Sequence, residues 1–180
     1  MTLLEHLSSI KDPRSVSGRR IQLPEFLAIS ILSYICGNIG YRGISRFGKD
    51  NYQLFQKEFE LKHPMPSHET VRQIFNSIDV DSFINCFNDW ALSLYPKNKF
   101  SWICGDGKAL ASTVDKSLPK FQKFEAVLSL FCQESELTLY IEKYSNEKKS
   151  EIFVLQDISE IFKCENSIIT LDALHTQKKH

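Results

Sequence analysis

Two aspartates, Asp106 and Asp172, each follow a short apolar segment of the kind that forms a β-strand. If the two strands lie side by side, both carboxylates come to one edge of a sheet, where their hard oxygens suit Mg²⁺. Two such ions can activate an attacking oxygen and stabilise a leaving oxygen, which is the chemistry of phosphoryl transfer. An aspartate after a strand is also a common turn former or helix cap, so spacing alone leaves both interpretations open.

The elements that would hold these aspartates are predicted after a boundary at residues 96–99, where helical periodicity gives way to strands. Four strands and one helix are expected there: strands at 100–104, 125–132 and 137–142, a helix at 151–162, and a strand at 167–171. This order allows the first and fourth strands to lie side by side, joined by a right-handed crossover.

Residues 1–95 instead show apolar residues at helical spacing. One helix is expected from Pro24, with Gly37 near its end, and a short one from Tyr41 to Phe47. Ser67 can cap a helix that runs to Ile78, and an amphipathic helix should follow at 81–95. The inward positions predicted for the first and last of these helices are Leu27, Ile31 and Ile35, and Ile84, Phe87, Ala91 and Leu94. The fold class is therefore an all-helical domain at 1–95 followed by an α/β domain at 99–180.

The helix capped by Ser67 is the best candidate for a DNA recognition helix, because Arg72, Gln73 and Asn76 share its polar face. The same pattern also fits a plain amphipathic helix whose polar face is solvated.

A second basic group stands near the start of the chain: Arg14, Arg19 and Arg20. These side chains could grip a DNA backbone, or they could belong to a solvated terminus.

Composition limits the other function classes. The 180 residues carry a formal net charge of zero, with the basic excess confined to residues 1–75. Five cysteines without a Cys-x-x-Cys pair predict buried thiols and disfavour zinc. No apolar segment is long enough to cross a bilayer and no secretory signal is evident, so we expect a cytoplasmic protein without a membrane partner.

Several segments resemble the H-repeat-associated transposases, in the same order along the chain. The two aspartate motifs are Gly105-Asp106-Gly107-Lys108 and the segment 170–178, Thr-Leu-Asp-Ala-Leu-His-Thr-Gln-Lys. Other matching segments are Lys11-Asp12-Pro13-Arg14, Cys36-Gly37, Arg46-Phe47-Gly48, 66–75 and 146–152. The family usually has other residues at 149–151 and 174–176, which affects details of the motifs only.

This resemblance implies a DNA transposase of the Asp-Asp-Glu (DDE) class that acts at transposon ends. Asp106 and Asp172 would be the first two metal ligands, for Mg²⁺ or Mn²⁺, and Lys108 would sit near the scissile phosphate. Residues 1–95 would be the transposase-associated domain of DNA-binding type, and 99–180 an incomplete ribonuclease-H-like domain. The family's glutamate lies well downstream of the second aspartate, and residues 173–180 contain no acid. We therefore expect a truncated, inactive copy that binds metal weakly or not at all.

Two other functions remain open at this point. The chain could be a remnant that binds DNA or another copy of the transposase, which leaves a homo-oligomer open, and performs no chemistry. It could also be an unrelated protein whose two aspartates only end strands.

Overall fold

The structure is a computed structural model that describes residues 2–95, 101–110, 125–145 and 167–171. The chain divides into two compact units, Met1–Cys86 and Phe87–His180. The described residues contain six α-helices and one four-stranded sheet, so the protein has a mixed α and β fold. The helix predicted at 151–162 lies outside the described residues.

The first unit is helical. In chain order the described helices are α1 (Leu3–Leu7), α2 (Leu23–Ile35), α3 (Gly40–Asp50), α4 (Tyr52–Phe59), α5 (His68–Ser77) and α6 (Val80–Leu94), whose second half belongs to the other unit. Side chains from α2, α3 and the segment before α5 fill the core, among them Phe26, Ile29, Ile44 and Met65. Helices α1 and α4 were not predicted from the sequence.

The prediction for α2 is confirmed in its bounds but not in its buried face. Pro24 lies in the first turn, and Gly37 follows the helix with a φ of +77°, a left-handed conformation that glycine adopts without strain. Leu27 is buried, whereas Ile35 is exposed. The reason is geometric. In a helix of 3.6 residues per turn, side chains four residues apart are rotated about the helix axis by roughly 40° relative to each other, so Ile35, eight residues after Leu27, no longer faces the core.

Helix α3 is longer than predicted and packs closely on the segment before α5. A Cβ added at Gly48 would overlap Cγ of the buried Met65 and lie 3.3 Å from a methyl carbon of Ile29. Ser45 donates a hydrogen bond to the carbonyl oxygen of Pro66 at 2.6 Å. Glycine at position 48 therefore lets α3 approach this segment.

Helices α5 and α6 agree with prediction in their bounds. Ser67 caps α5, and its hydroxyl accepts a hydrogen bond from the Thr70 amide. In α6, Ala91 is buried as predicted, but Leu94 is exposed. The polar residue Asn88 is also buried on this helix. Burial is tolerated because the side-chain nitrogen and oxygen of Asn88 both form hydrogen bonds with the backbone of Ile141.

The second unit contains the sheet, in the strand order β3-β2-β1-β4. The strands are β1 (Ser101–Ala109), β2 (Glu125–Cys132), β3 (Leu137–Ser145) and β4 (Ser167–Leu171). The pairs β1–β2 and β2–β3 are antiparallel, and β1–β4 is parallel. This confirms both the meander and the predicted pairing of the first and fourth strands.

One face of the sheet forms a second hydrophobic core. Ile103, Leu128, Leu130 and Leu139 are buried there, and Tyr95 packs against them. The Asn88 side chain donates to the carbonyl of Ile141 at 2.9 Å and accepts from its amide at 2.8 Å. These bonds fix the second half of α6 to β3.

The cysteines agree only in part with the prediction of buried thiols. Cys86 and Cys132 are buried and Cys104 is half-buried, whereas Cys36 is exposed. Cys36 follows the last turn of α2, where the helix end faces solvent. Cys164 lies outside the described residues.

Candidate functional site

Asp106 lies inside β1, so the prediction that the strand ends before this residue is wrong. The strand continues through Lys108 to Ala109. Strand β2 provides an antiparallel partner along this stretch, with Asp106 opposite Ser129. The ladder hydrogen bonds of that partner outweigh the low strand propensity of aspartate and of the glycines beside it.

Asp106 and Lys108 share one face of the sheet, because side chains alternate between the two faces along a strand. Both side chains are exposed. The Ser129 hydroxyl donates to the backbone carbonyl of Asp106 at 3.4 Å, which leaves the Asp106 carboxylate outside that bond. A carboxylate and an ammonium group are therefore presented side by side on an open surface.

The parallel pair β1–β4 brings the two aspartate motifs to neighbouring strands. Its register pairs Cys104 with Thr170 and Gly105 with Leu171. In the sequence, Asp106 follows Gly105 and Asp172 follows Leu171. Asp172 lies outside the described residues, so the separation of the two carboxylates stays a prediction.

Another acid of the sheet, Glu142, lies away from Asp106. It pairs with Leu128 of β2, whose side chain is in the core, whereas Asp106 pairs with Ser129. Glu142 is therefore on the opposite face of the sheet, and its carboxylate accepts a hydrogen bond from Tyr140 at 3.1 Å. Within the described ranges, no group of three His, Cys, Asp or Glu side chains is arranged to hold a metal ion.

Large apolar side chains are exposed on the same face as Asp106. Trp102 lies four residues before Asp106 on β1, so both side chains are on the same face of the sheet. Ile168 of β4 is the register partner of Trp102. Phe131 of β2 pairs with Cys104 and lies on this face too. All three are about two-fifths exposed, at 42%, 42% and 39% for Trp102, Ile168 and Phe131. The Asp106 face is thus open, unlike the face that carries Ile103.

Helix α5 presents the three polar residues predicted for DNA contact. Arg72, Gln73 and Asn76 are all exposed, while Val71 and Ile74 are buried. The Arg72 guanidinium is engaged in an ion pair with Glu69, with an Nη2 to Oε1 distance of 2.6 Å. The hydrogen bond between them lowers the pKa of Glu69 and raises that of Arg72.

Arg14 and Arg19 fold onto Asp12 instead of projecting into solvent. Arg14 binds the Asp12 carboxylate through Nε at 2.9 Å and Nη2 at 2.8 Å, and Nη2 also donates to the carbonyl of Ile21. Arg19 lies 3.3 Å from the same carboxylate and donates to the carbonyl oxygens of Asp12 and Arg14. Arg20 is exposed. Among the described residues of this basic group, Arg20 alone is not paired with Asp12.

The ion-pairing role of Asp12 in this group was not predicted from the sequence. Burial raises its pKa, but hydrogen bonds and charge from Arg14, with a further contribution from Arg19, outweigh burial, so that the net pKa is lowered. An acid two residues before an arginine and close to a second one was the available signal. Asp12 makes the loop after α1 a rigid, charge-compensated structure.

None of the described helices is both long enough and apolar enough to cross a bilayer alone. Helices α2 and α3 have that length and apolar character only when taken together, and a bend of 104° separates them.

Comparison with known proteins identifies relatives along nearly the whole chain. Residues 4–91 match the protein family described as DDE_Tnp_1-associated. The H repeat-associated putative transposase YhhI of Escherichia coli (strain K12) is 27% identical over 98% of this chain and 46% of its own length. The H repeat-associated putative transposase YbfD of the same strain is 26% identical over 98% of this chain and 68% of its own length.

The chain thus spans about half the length of the first of these relatives. The family match covers the helical unit, and the relatives extend through both aspartate motifs. Residues 4–91 therefore match the DDE_Tnp_1-associated family, and the chain is similar along nearly its whole length to H repeat-associated putative transposases.

Proposed function

We propose that this chain takes part in DNA transposition of the DDE class, with a DNA-contacting helical unit and a sheet that carries the first two metal ligands. Relatives named as putative transposases support this proposal. The observation that carries it furthest is the parallel β1–β4 pair, whose register ends at Gly105 and Leu171, one residue before Asp106 and Asp172 in each motif. We propose that this meander and the parallel strand β4 belong to a ribonuclease-H-like domain.

The proposed metal ligands fit a hard divalent cation. The Asp106 carboxylate is exposed, and the oxygen atoms of aspartate are the ligands that Mg²⁺ and Mn²⁺ prefer. We assign Asp172 as the second carboxylate and Lys108, on the Asp106 face, as the group that attracts the DNA phosphate. A divalent ion bound there would polarise the scissile phosphate and stabilise the leaving oxygen.

Metal binding can be tested without any cleavage reaction. We expect weak Mn²⁺ binding to the wild-type chain, measured by electron paramagnetic resonance, and we expect Asp106→Asn to weaken it by about tenfold or more, because one of few charged ligands is lost. The matched control is Asp89→Asn, which removes an exposed acid of α6. Equal Mn²⁺ affinity in the two variants would show that Asp106 is not a metal ligand.

We propose that the helical unit contacts DNA, with the exposed face of α5 as one contact surface. Arg72, Gln73 and Asn76 can reach phosphates or base edges from that face. For Arg72 to contact DNA, its ion pair with Glu69 must break. This requires little free energy, because both side chains are about half exposed (51% and 52%).

The test uses a labelled duplex of mixed sequence, because backbone contacts do not depend on sequence. Arg72→Ala should lower the slope of log affinity against log salt by about one. Lys57→Ala removes an exposed charge from α4 and is the control. A slope that falls equally in both variants would count against α5 as a contact surface.

A second candidate function, DNA binding without chemistry, is favoured by the positions of the described strand acids. A DDE site needs a third carboxylate, but Glu142 faces away from Asp106, and Glu125, on the Asp106 face, lies four residues along β2 from Ser129, the partner of Asp106. We therefore expect the 180-residue polypeptide not to nick supercoiled plasmid DNA in the presence of Mn²⁺. Nicking that disappears in Asp106→Ala would show that another acid of the chain completes the site.

A further inference from the structure

Helix α3 carries a line of cations that the sequence interpretation did not single out. Arg42, Arg46 and Lys49 follow each other at intervals of four and three residues, which places them on one face of the helix. All three side chains are exposed. We call these three residues the α3 basic stripe.

The other side of α3 belongs to the core. Gly43, Ile44, Ser45 and Gly48 are buried, so the helix cannot turn its charged face inward. The hydrogen bond from Ser45 to Pro66 and the close approach of Gly48 to Met65 hold the helix in this orientation. The basic stripe is therefore displayed on a rigid support.

The stripe also differs from the other arginines of the unit in its charge balance. Arg14 and Arg19 are compensated by Asp12, and Arg72 is paired with Glu69. Among the described residues, no ion pair or hydrogen bond involves the side chains of Arg42, Arg46 or Lys49. Three positive charges thus face solvent without a partner in the described part of the chain.

The dimensions of the stripe match a polyanion. From Arg42 to Lys49 the helix rises by roughly 10 Å, at 1.5 Å per residue. One strand of DNA presents a phosphate about every 3.4 Å along the duplex axis, so roughly three phosphates occupy that length. Arginine and lysine are the side chains that bind such phosphates, arginine through paired N–H donors.

We propose that the α3 basic stripe is the principal phosphate-binding surface of the helical unit and grips the backbone of duplex DNA. This inference rests on the proposed DNA-contacting function and names the surface that supplies most of the electrostatic attraction. Helix α5 contributes to recognition from its own exposed face. The stripe sets affinity and its salt dependence.

The experiment compares two triple variants of the full chain that lose the same net charge. One is Arg42→Ala/Arg46→Ala/Lys49→Ala, and the other is Lys11→Ala/Lys57→Ala/Lys62→Ala, which removes three exposed cations of the same unit outside the stripe. Binding to a fluorescein-labelled duplex of mixed sequence is followed by anisotropy between low and moderate salt. The stripe variant should lose about three units of salt slope and bind at least about tenfold more weakly, whereas the matched variant should change little.

Other outcomes separate the two proposals. If the wild-type chain binds the duplex without salt dependence, or not at all, DNA contact by the helical unit is itself refuted. If the wild type binds and both triple variants weaken binding equally, only net charge matters and the stripe is not the contact surface. Arg42→Lys/Arg46→Lys keeps the charges and should retain the slope, and thermal unfolding of each variant checks that α3 is still folded.

Discussion

The ion cluster around Asp12 makes a sharp test of how the loop between α1 and α2 is held. Asp12→Ala removes a carboxylate that binds Arg14 at two points and lies 3.3 Å from Arg19. Removing one partner of a fully buried ion pair costs about 3–5 kcal/mol. The Asp12 and Arg14 side chains keep 12% and 14% exposure, and Arg14 keeps its bond to the Ile21 carbonyl. We therefore expect a loss of about 2–3 kcal/mol in the free energy of unfolding.

Urea unfolding followed by circular dichroism provides the measurement. Because the chain has two compact units, the loss should appear in the transition of Met1–Cys86 and leave that of Phe87–His180 in place. Glu69→Gln removes an acid from an exposed ion pair of the same unit and should have no measurable effect. Similar losses in Asp12→Ala and Glu69→Gln would refute the assignment of Asp12 as a structural anchor.

The same cluster predicts how stability depends on pH. The pKa of Asp12 is lowered in the folded protein from its usual 3.8. A lowered pKa means that the folded state binds the proton less readily than the unfolded state, so the stabilisation is fully present above about pH 4 and is lost as the pH falls through the folded pKa. The wild type should lose more stability than Asp12→Ala between pH 5 and pH 2, roughly the window of that titration. Parallel curves would contradict the prediction.

Two further substitutions test packing in each unit. Gly48→Ala should lower the free energy of unfolding by about 1–2 kcal/mol, because the overlap with the buried Met65 outweighs the gain in helix propensity, whereas Gly18→Ala, with open space around it, should be neutral. Asn88→Ala should lower the free energy of unfolding by about 1–3 kcal/mol, because the amide and the carbonyl of Ile141 each lose a hydrogen-bond partner. Thermal unfolding measures both effects. An unchanged stability in Gly48→Ala or in Asn88→Ala would show that the contact in question does not stabilise the fold.

Features that depend on local chemistry could be predicted from the sequence. Ser67 defined the start of α5, and Pro24 and Gly37 bracketed α2, because caps and backbone restrictions act within a few residues. Strands β2 and β4 were predicted at their observed bounds. Leu128 and Leu130 of β2 and Ile169 of β4 pack on the core face of the sheet, so pattern and structure have a common cause there.

Features that depend on a partner distant in sequence could not be predicted. Asp106 was placed after a strand because the apolar segment before it ends at Cys104, yet β2 extends the ladder past Asp106. Helix α4 ends at Glu60 in a left-handed conformation, φ 53°, where glycine would be the usual signal. For the candidate site, the neighbouring strands could be predicted, whereas the position of Glu142 on the opposite face depends on a register that no local pattern encodes.

The distribution of charge shows why a net value is a poor guide to nucleic-acid binding in this protein. The chain is neutral overall, which by itself disfavours a DNA partner. In the helical unit, however, acids are placed beside particular arginines: Asp12 compensates Arg14 and Arg19, and Glu69 pairs with Arg72. Each compensated arginine can contribute little to counterion release until its acid partner is displaced, whereas the cations of the α3 basic stripe carry no such penalty. A neutral chain can therefore present a concentrated positive surface, and the salt slope of DNA binding should follow the number of uncompensated cations on one helix face instead of the charge of the whole protein.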